Sequence, residues 1–214
     1  MTKMLTWQRA MKTFYDSLSG RTLVERDSAF LFDSVFSEQD FSSLVSNLNN
    51  HKDANIMPYD TDMGRFQINS TETIAPAFLI ECHQGLTSLA RSLFSPTLMP
   101  SYALWATYQG YRANLPKHID DNACTYTIDL CVSHKTPWSI YVEDEEFTLQ
   151  PNQAIVYYGE DQYHWRNKFP DPYNNQVEMI FFHFVEPDHW WFTKGPRHMN
   201  EMLRQQTAHR QRNK

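Results

Sequence analysis

Glycine and cysteine are scarce in this chain, at six and three residues among 214. So few glycines argue against a low-complexity linker, and aromatic residues, at 14% of the chain, supply wide apolar packing surfaces instead. Cys82, Cys124 and Cys131 show neither CxxC pairing nor zinc-knuckle spacing, and an odd number does not read as a disulfide framework. A reducing compartment is expected. Basic charge is not in excess either: the net charge of −6 and a pI near 5.8 give no broad electrostatic reason to bind a phosphate backbone, so nucleic acid is not an expected partner. A run of about eighteen apolar residues is missing, and the opening segment MTKMLTWQRAMKTFYDSL has no uninterrupted apolar stretch of the signal-peptide kind. The expectation is a soluble, cytoplasmic protein without membrane contact, either monomer or homodimer.

The length suits one domain with three regions. Residues 1–100 read as a helical support. Ser37, followed by Glu38, Gln39 and Asp40, opens a segment whose Phe41, Leu44, Val45 and Leu48 recur at three-to-four spacing. A second helix is predicted over 73–94, where Phe78, Leu79, Cys82, Leu86, Leu89, Ala90 and Leu93 keep helical period and Ser95-Pro96 stops it, with Pro76 in its first turn. Over 101–187 the texture turns to short β-rich runs separated by turn signals: YALWATYQ, KHID, CTYTIDLCV, WSIYVE, EFTLQ, AIVYYG, YHWRNK and QVEMIFFHFV. Eight short strands without intervening helices indicate an antiparallel sandwich or barrel. Residues 188–214 read as a helical or disordered polar tail.

The chemistry is carried by three residues. His118 and Asp120 are one residue apart on a predicted strand, so a period of two turns both to the same face. Imidazole nitrogen with carboxylate oxygen is a mixed donor set suited to Fe(II), and a second histidine from a distant strand completes a two-His-one-carboxylate triad. His164, just after the turn at Gly159-Glu160-Asp161, is the candidate. Three ligands on one octahedral face leave three positions open, enough for a bidentate 2-oxo acid and O2. The bland alternative makes His118 a surface histidine, Asp120 a turn residue and His164 a satisfied core histidine.

With these residues in place, the stretch 102–185 resembles the Fe(II)/2-oxoglutarate-dependent oxygenase superfamily, especially its prolyl-hydroxylase-like branch. The matching elements are Tyr108, the segment LPKHID ending at Asp120, the strand around Cys124 to Val132, the strand leading to Gly159, and His164-Trp165-Arg166 with the strand that follows. The resemblance implies a double-stranded β-helix (jelly-roll, cupin-like) core, with His118 and Asp120 on its second strand and His164 near the start of its seventh. It implies Fe(II) as cofactor, 2-oxoglutarate and O2 as cosubstrates, and a hydroxylase that releases succinate and CO2. It also implies that Tyr108, ten residues before the first ligand, hydrogen-bonds the cosubstrate; the alternative is a core aromatic.

A cation is needed for the distal carboxylate of 2-oxoglutarate. Arg166, two residues after His164 and on the same strand face, is the candidate. Here the chain departs from the commoner family pattern, in which the basic residue follows the last histidine by about ten positions. Either Arg166 has taken the role, or it contacts substrate and another group holds the cosubstrate. His183 faces the pocket or packs among its phenylalanine neighbours. The entrance loops are expected around 56–68 and 171–176, and the substrate is expected to be a free or peptide-bound amino acid or similar small polar molecule. Two rivals remain: a cupin-like metal-binding protein using another divalent metal, and a non-catalytic interaction domain whose contact surface is the aromatic cluster His189-Trp190-Trp191-Phe192.

Overall fold

The structure is a computed structural model and describes residues 28–54, 57–169, 171 and 173–193. The tail beyond residue 193 and the opening segment lie outside the described residues. From Met99 onward come the eight predicted strands: β4 (Met99–Gln109), β5 (Leu115–His118), β6 (Tyr126–His134), β7 (Ile140–Val142), β8 (Glu145–Phe147), β9 (Ala154–Tyr157), β10 (His164–Arg166) and β11 (Gln176–Val185). The region before them supplies the two expected helices, α1 (Glu38–Ala54) and α2 (Ala77–Leu93). It also supplies three strands that the sequence reading did not anticipate, β1 (Phe30–Phe32), β2 (Tyr59–Asp60) and β3 (Arg65–Asn69).

All pairings are antiparallel. A seven-stranded sheet runs β1-β9-β6-β11-β4-β3-β2, and a four-stranded sheet runs β5-β10-β7-β8. The two face each other as a jelly roll, and the short early strands extend the larger sheet at both edges. The helices begin where their caps dictate. Ser37 Oγ accepts from the Asp40 backbone N–H at 3.2 Å and so caps α1, whose acidic first turn and basic last turn complement its dipole. The second helix starts one residue after Pro76, which sits at the N-cap in extended conformation and not inside the first turn; proline lacks the N–H, and its fixed φ suits the boundary.

The larger sheet is buried on both faces, and strand alternation sorts its residues. From β11, Ile180, Phe182 and Phe184 pack on the helices together with Leu79, Leu86, Leu89 and Leu93 of α2. The intervening Val177, Met179 and Phe181 turn into the space between the sheets, where Ala106, Tyr108, Ile155 and Tyr157 meet them. A second anchor joins α1 to the sheet. Buried Glu178 accepts from Lys52 Nζ at 2.7 Å, Trp105 Nε1 at 2.8 Å and Ser133 Oγ at 3.1 Å.

Candidate metal centre

At the open end of the inter-sheet space, His118 closes β5 and His164 opens β10, and these two residues are direct register partners. Their ring centroids are 4.2 Å apart. Asp120 lies beyond the end of β5, in the following loop and not on a strand as its spacing suggested. Its direction comes from a loop-to-loop bond: the Asp120 backbone N–H donates to the Gly159 carbonyl at 2.7 Å, and Gly159 N–H donates to Thr125 O at 3.2 Å. Asp120 Oδ1 is 3.5 Å from Nε2 of both histidines. One donor atom from each of the three residues falls within a 4.8 Å cluster.

The protonation pattern follows from hydrogen bonding. His118 Nδ1 meets the Pro116 carbonyl at 2.7 Å, and His164 Nδ1 meets the Gln162 carbonyl at 3.0 Å. A carbonyl oxygen only accepts, so each Nδ1 carries the proton and each Nε2 offers a lone pair. Two lone pairs and a carboxylate oxygen thus converge without a proton between them, an arrangement that a bound cation relieves. Burial lowers the basicity of His164, but the facing Asp120 outweighs it and holds the ring above its ordinary value. Protons and a divalent cation therefore compete for this point.

A cavity of about 100 Å³ opens beside the triad. Among the residues that line it are Tyr108, Arg65, Asp129, Phe181 and His183. Tyr108 is fully buried, and its hydroxyl accepts from Arg65 Nη1. His183 lines the cavity, the first of its two expected positions. A register shift in β11 between Phe182 and Phe184 frees its carbonyl, which accepts from His83 Nε2 at 2.8 Å and Ser101 Oγ at 2.9 Å.

Arg166 is almost fully buried beside the same space. It donates to the Trp138 carbonyl, approaches Met179 Sδ at 3.7 Å and lies over the Trp138 ring at 5.1 Å, while its Nε has no partner. No described carboxylate pairs with it. It does not itself line the cavity, as Tyr108 and Asp129 do, and burial lowers its basicity.

Two cavity residues were missed at the sequence level. Asp129 shares the inward face of β6 with Thr127 and Cys131; burial pushes its carboxyl up to about 7, Oδ2 accepts from Tyr157 Oη at 3.0 Å, and Oδ1 has no partner. The polar alternation within TIDLC was the available signal. Arg65, on β3, was assigned to an entrance loop. Among the described residues of the two expected loops, Met63 and Arg65 of 56–68 line the triad cavity, whereas Tyr173 to Gln176 line a separate one with Tyr59 and Phe66. The aromatic cluster 189–192 turns inward in part: Trp191 stacks on Tyr102 at 5.4 Å, and Trp190 Nε1 donates to Asn122 Oδ1 at 2.8 Å.

No protein-family profile matches the chain, and no curated protein matches it in sequence. Solved structures do match. EctD from S. alaskensis with bound Fe superposes with a TM-score of 0.58 at 12% identity, over 75% of this chain and 73% of that one. The epimerase SnoN from nogalamycin biosynthesis, described as non-heme and alpha ketoglutarate dependent, gives 0.58 at 8% identity over 82% and 84%. A Pseudomonas putida prolyl-4-hydroxylase gives 0.53 at 13% identity over 82% and 98%. The chain therefore has the jelly-roll fold of the 2-oxoglutarate-dependent iron oxygenases, including a prolyl hydroxylase. Among the described residues no helix is long and apolar enough to cross a membrane.

Proposed function

We propose that this jelly roll is a non-haem Fe(II)- and 2-oxoglutarate-dependent oxygenase that hydroxylates a free or peptide-bound amino acid or similar small polar substrate, releasing succinate and CO2. The observation that carries the reading is the convergence of the His118 and His164 Nε2 lone pairs on Asp120 Oδ1 beside an interior cavity. Two imidazoles and one carboxylate are a donor set that Fe(II) accepts, and they occupy one face of its coordination sphere. When bound, the iron supplies oxygen activation coupled to oxidative decarboxylation of the 2-oxo acid.

The protein's own contribution is placement. His118, Asp120 and His164 hold the metal from one side and leave the cavity side open. Tyr108 offers a hydroxyl to the cosubstrate. Arg166, a buried cation without a described carboxylate partner, takes its distal carboxylate, because a buried guanidinium is far more stable beside an anion. Phe181 and Leu104 wall the cavity and limit water around the reacting groups. A carboxylate at the Asp120 position, where similar halogenases have a small residue, favours hydroxylation over halogenation.

Adding Fe(II) and 2-oxoglutarate under argon should produce a visible metal-to-ligand band in the wild type and none in Asp120→Ala, with succinate appearing once O2 is admitted. A cupin-like site for another metal would bind the cation without the band, and a silent interaction domain would bind neither.

A further inference from the structure

The cavity beside the triad is lined by a guanidinium, that of Arg65, to which the proposed function gives no ligand. Arg65 stands opposite Tyr108 in the β3–β4 register and extends over the Tyr108 and Phe181 rings, at 5.2 and 5.8 Å from their centroids. Its Nε donates to Gln67 Oε1 at 2.7 Å and Nη1 to the Tyr108 hydroxyl. Both acceptors are neutral. Where Lys52 finds Glu178, Arg65 pairs with no described carboxylate, although it lines the same cavity as His118, Asp120 and His164. Two rings and two hydrogen bonds fix the plane of the fork, and Nη2 remains uncommitted. A guanidinium held rigid before it meets its ligand suits a carboxylate, because little rotamer freedom remains to be lost on binding.

The division of labour follows from depth and from counting charges. In the oxygenase reading, on which this inference rests, 2-oxoglutarate brings two carboxylates, one for the metal and one for Arg166. Arg166 is almost wholly buried and does not line the cavity, whereas Arg65 is half-buried and does. A ligand that arrives after the cosubstrate meets Arg65 and not Arg166. We infer that Arg65 is the carboxylate receptor for the primary substrate, and that this substrate is a small molecule bearing a free carboxylate, not an uncharged residue inside a peptide. The confined cavity points the same way, since it takes one end of a small acid more readily than a chain that passes through.

The test uses the full chain loaded with Fe(II) and 2-oxoglutarate under argon, so that binding is read without turnover as a shift of the visible band. The probes are the L-amino acids and small mono- and dicarboxylic acids, each beside its primary amide. Free acids should shift the band, and their amides should bind at least tenfold more weakly. Arg65→Gln should weaken the responding acid about ten- to hundred-fold, the size expected for one charge-assisted fork, with Arg65→Lys intermediate, while 2-oxoglutarate affinity falls less than tenfold, the lost hydrogen bond to the Tyr108 hydroxyl included. A tenfold loss of 2-oxoglutarate affinity in Arg65→Gln would instead make Arg65 part of the cosubstrate site. That result, equal responses to acids and amides, or no response to any acid would each overturn the inference. A wild type that gives no band with Fe(II) and 2-oxoglutarate would sink the oxygenase reading itself, a failure distinct from these.

Discussion

Gly159 is the position where a single added methyl group should cost the most chemistry. Its backbone accepts from the Asp120 N–H, and a Cβ built there would lie 2.6 Å from Asp120 Oδ2 and 2.7 Å from Thr127 Oγ1, with the rigid Cys124 carbonyl closer still. Real Cβ atoms do not approach heavy atoms within 3.0 Å, so the carboxylate must retreat by roughly 0.4 Å or the turn must lift. Metal sites tolerate ligand displacements of about 0.2 Å. In Gly159→Ala the divalent-metal affinity should therefore fall about ten- to hundred-fold, as when a partner that orients a ligand is lost, which is about 1.4–2.7 kcal/mol. Overpacking adds a stability cost of about 1–3 kcal/mol. Titrating the folded, metal-free protein with Co(II) or Fe(II) well below its melting temperature isolates the first effect. Wild-type metal affinity in a folded Gly159→Ala protein would refute the placement of Asp120 against this turn.

Other consequences are independent of that one. Asp129 keeps its proton in the folded chain up to about pH 7, against an ordinary value of 3.8, so stability is lost as pH rises through that window and the unfolded chain alone ionises. Asp129→Asn removes the penalty, and denaturant melts of metal-free protein should show the variant gaining on wild type from pH 5 upward, by up to about 4 kcal/mol at pH 8; a pH-independent difference would contradict it. Glu178→Ala deletes an acceptor shared by Lys52, Trp105 and Ser133. It should cost about 1.5–3 kcal/mol by denaturant titration without changing metal affinity. Divalent metal at a hundredfold excess over its dissociation constant should stabilise the wild type by about 2.7 kcal/mol, measured by thermal melting, and should leave His164→Ala unshifted.

The parts of this architecture that could be read from the chain are those that repeat a local rule. β-rich runs with turn signals between them marked all eight strands from Met99 onward, because each buries alternate residues and the pattern is written locally. The helix stripes were visible for the same reason. The strand β3 was not, since RFQIN is only five residues long and gains its strand character from pairing with β4, a tertiary fact. Arg65 was lost with it. His118 and His164 were singled out by spacing and strand position, and their register pairing was not legible locally. The direction of Asp120 was attributed to strand alternation, whereas the loop bond to Gly159 aims it. Arg166 is almost fully buried, and no periodicity could reveal that Trp138 and Met179 share its guanidinium.

The two sheets differ greatly in how they are sustained. β4, β6 and β11 are 11, 9 and 10 residues long and are braced from behind by helices, whereas β5, β7, β8 and β10 are only three or four residues each. Strands so brief contribute few rungs of their own. The triad joins the last residue of one, the first of its neighbour and a loop tethered to the turn before it. An ion held there would work as a rivet between two stretches of chain, 118–120 and the one that opens at His164, so for the weaker layer occupancy and architecture would become a single equilibrium.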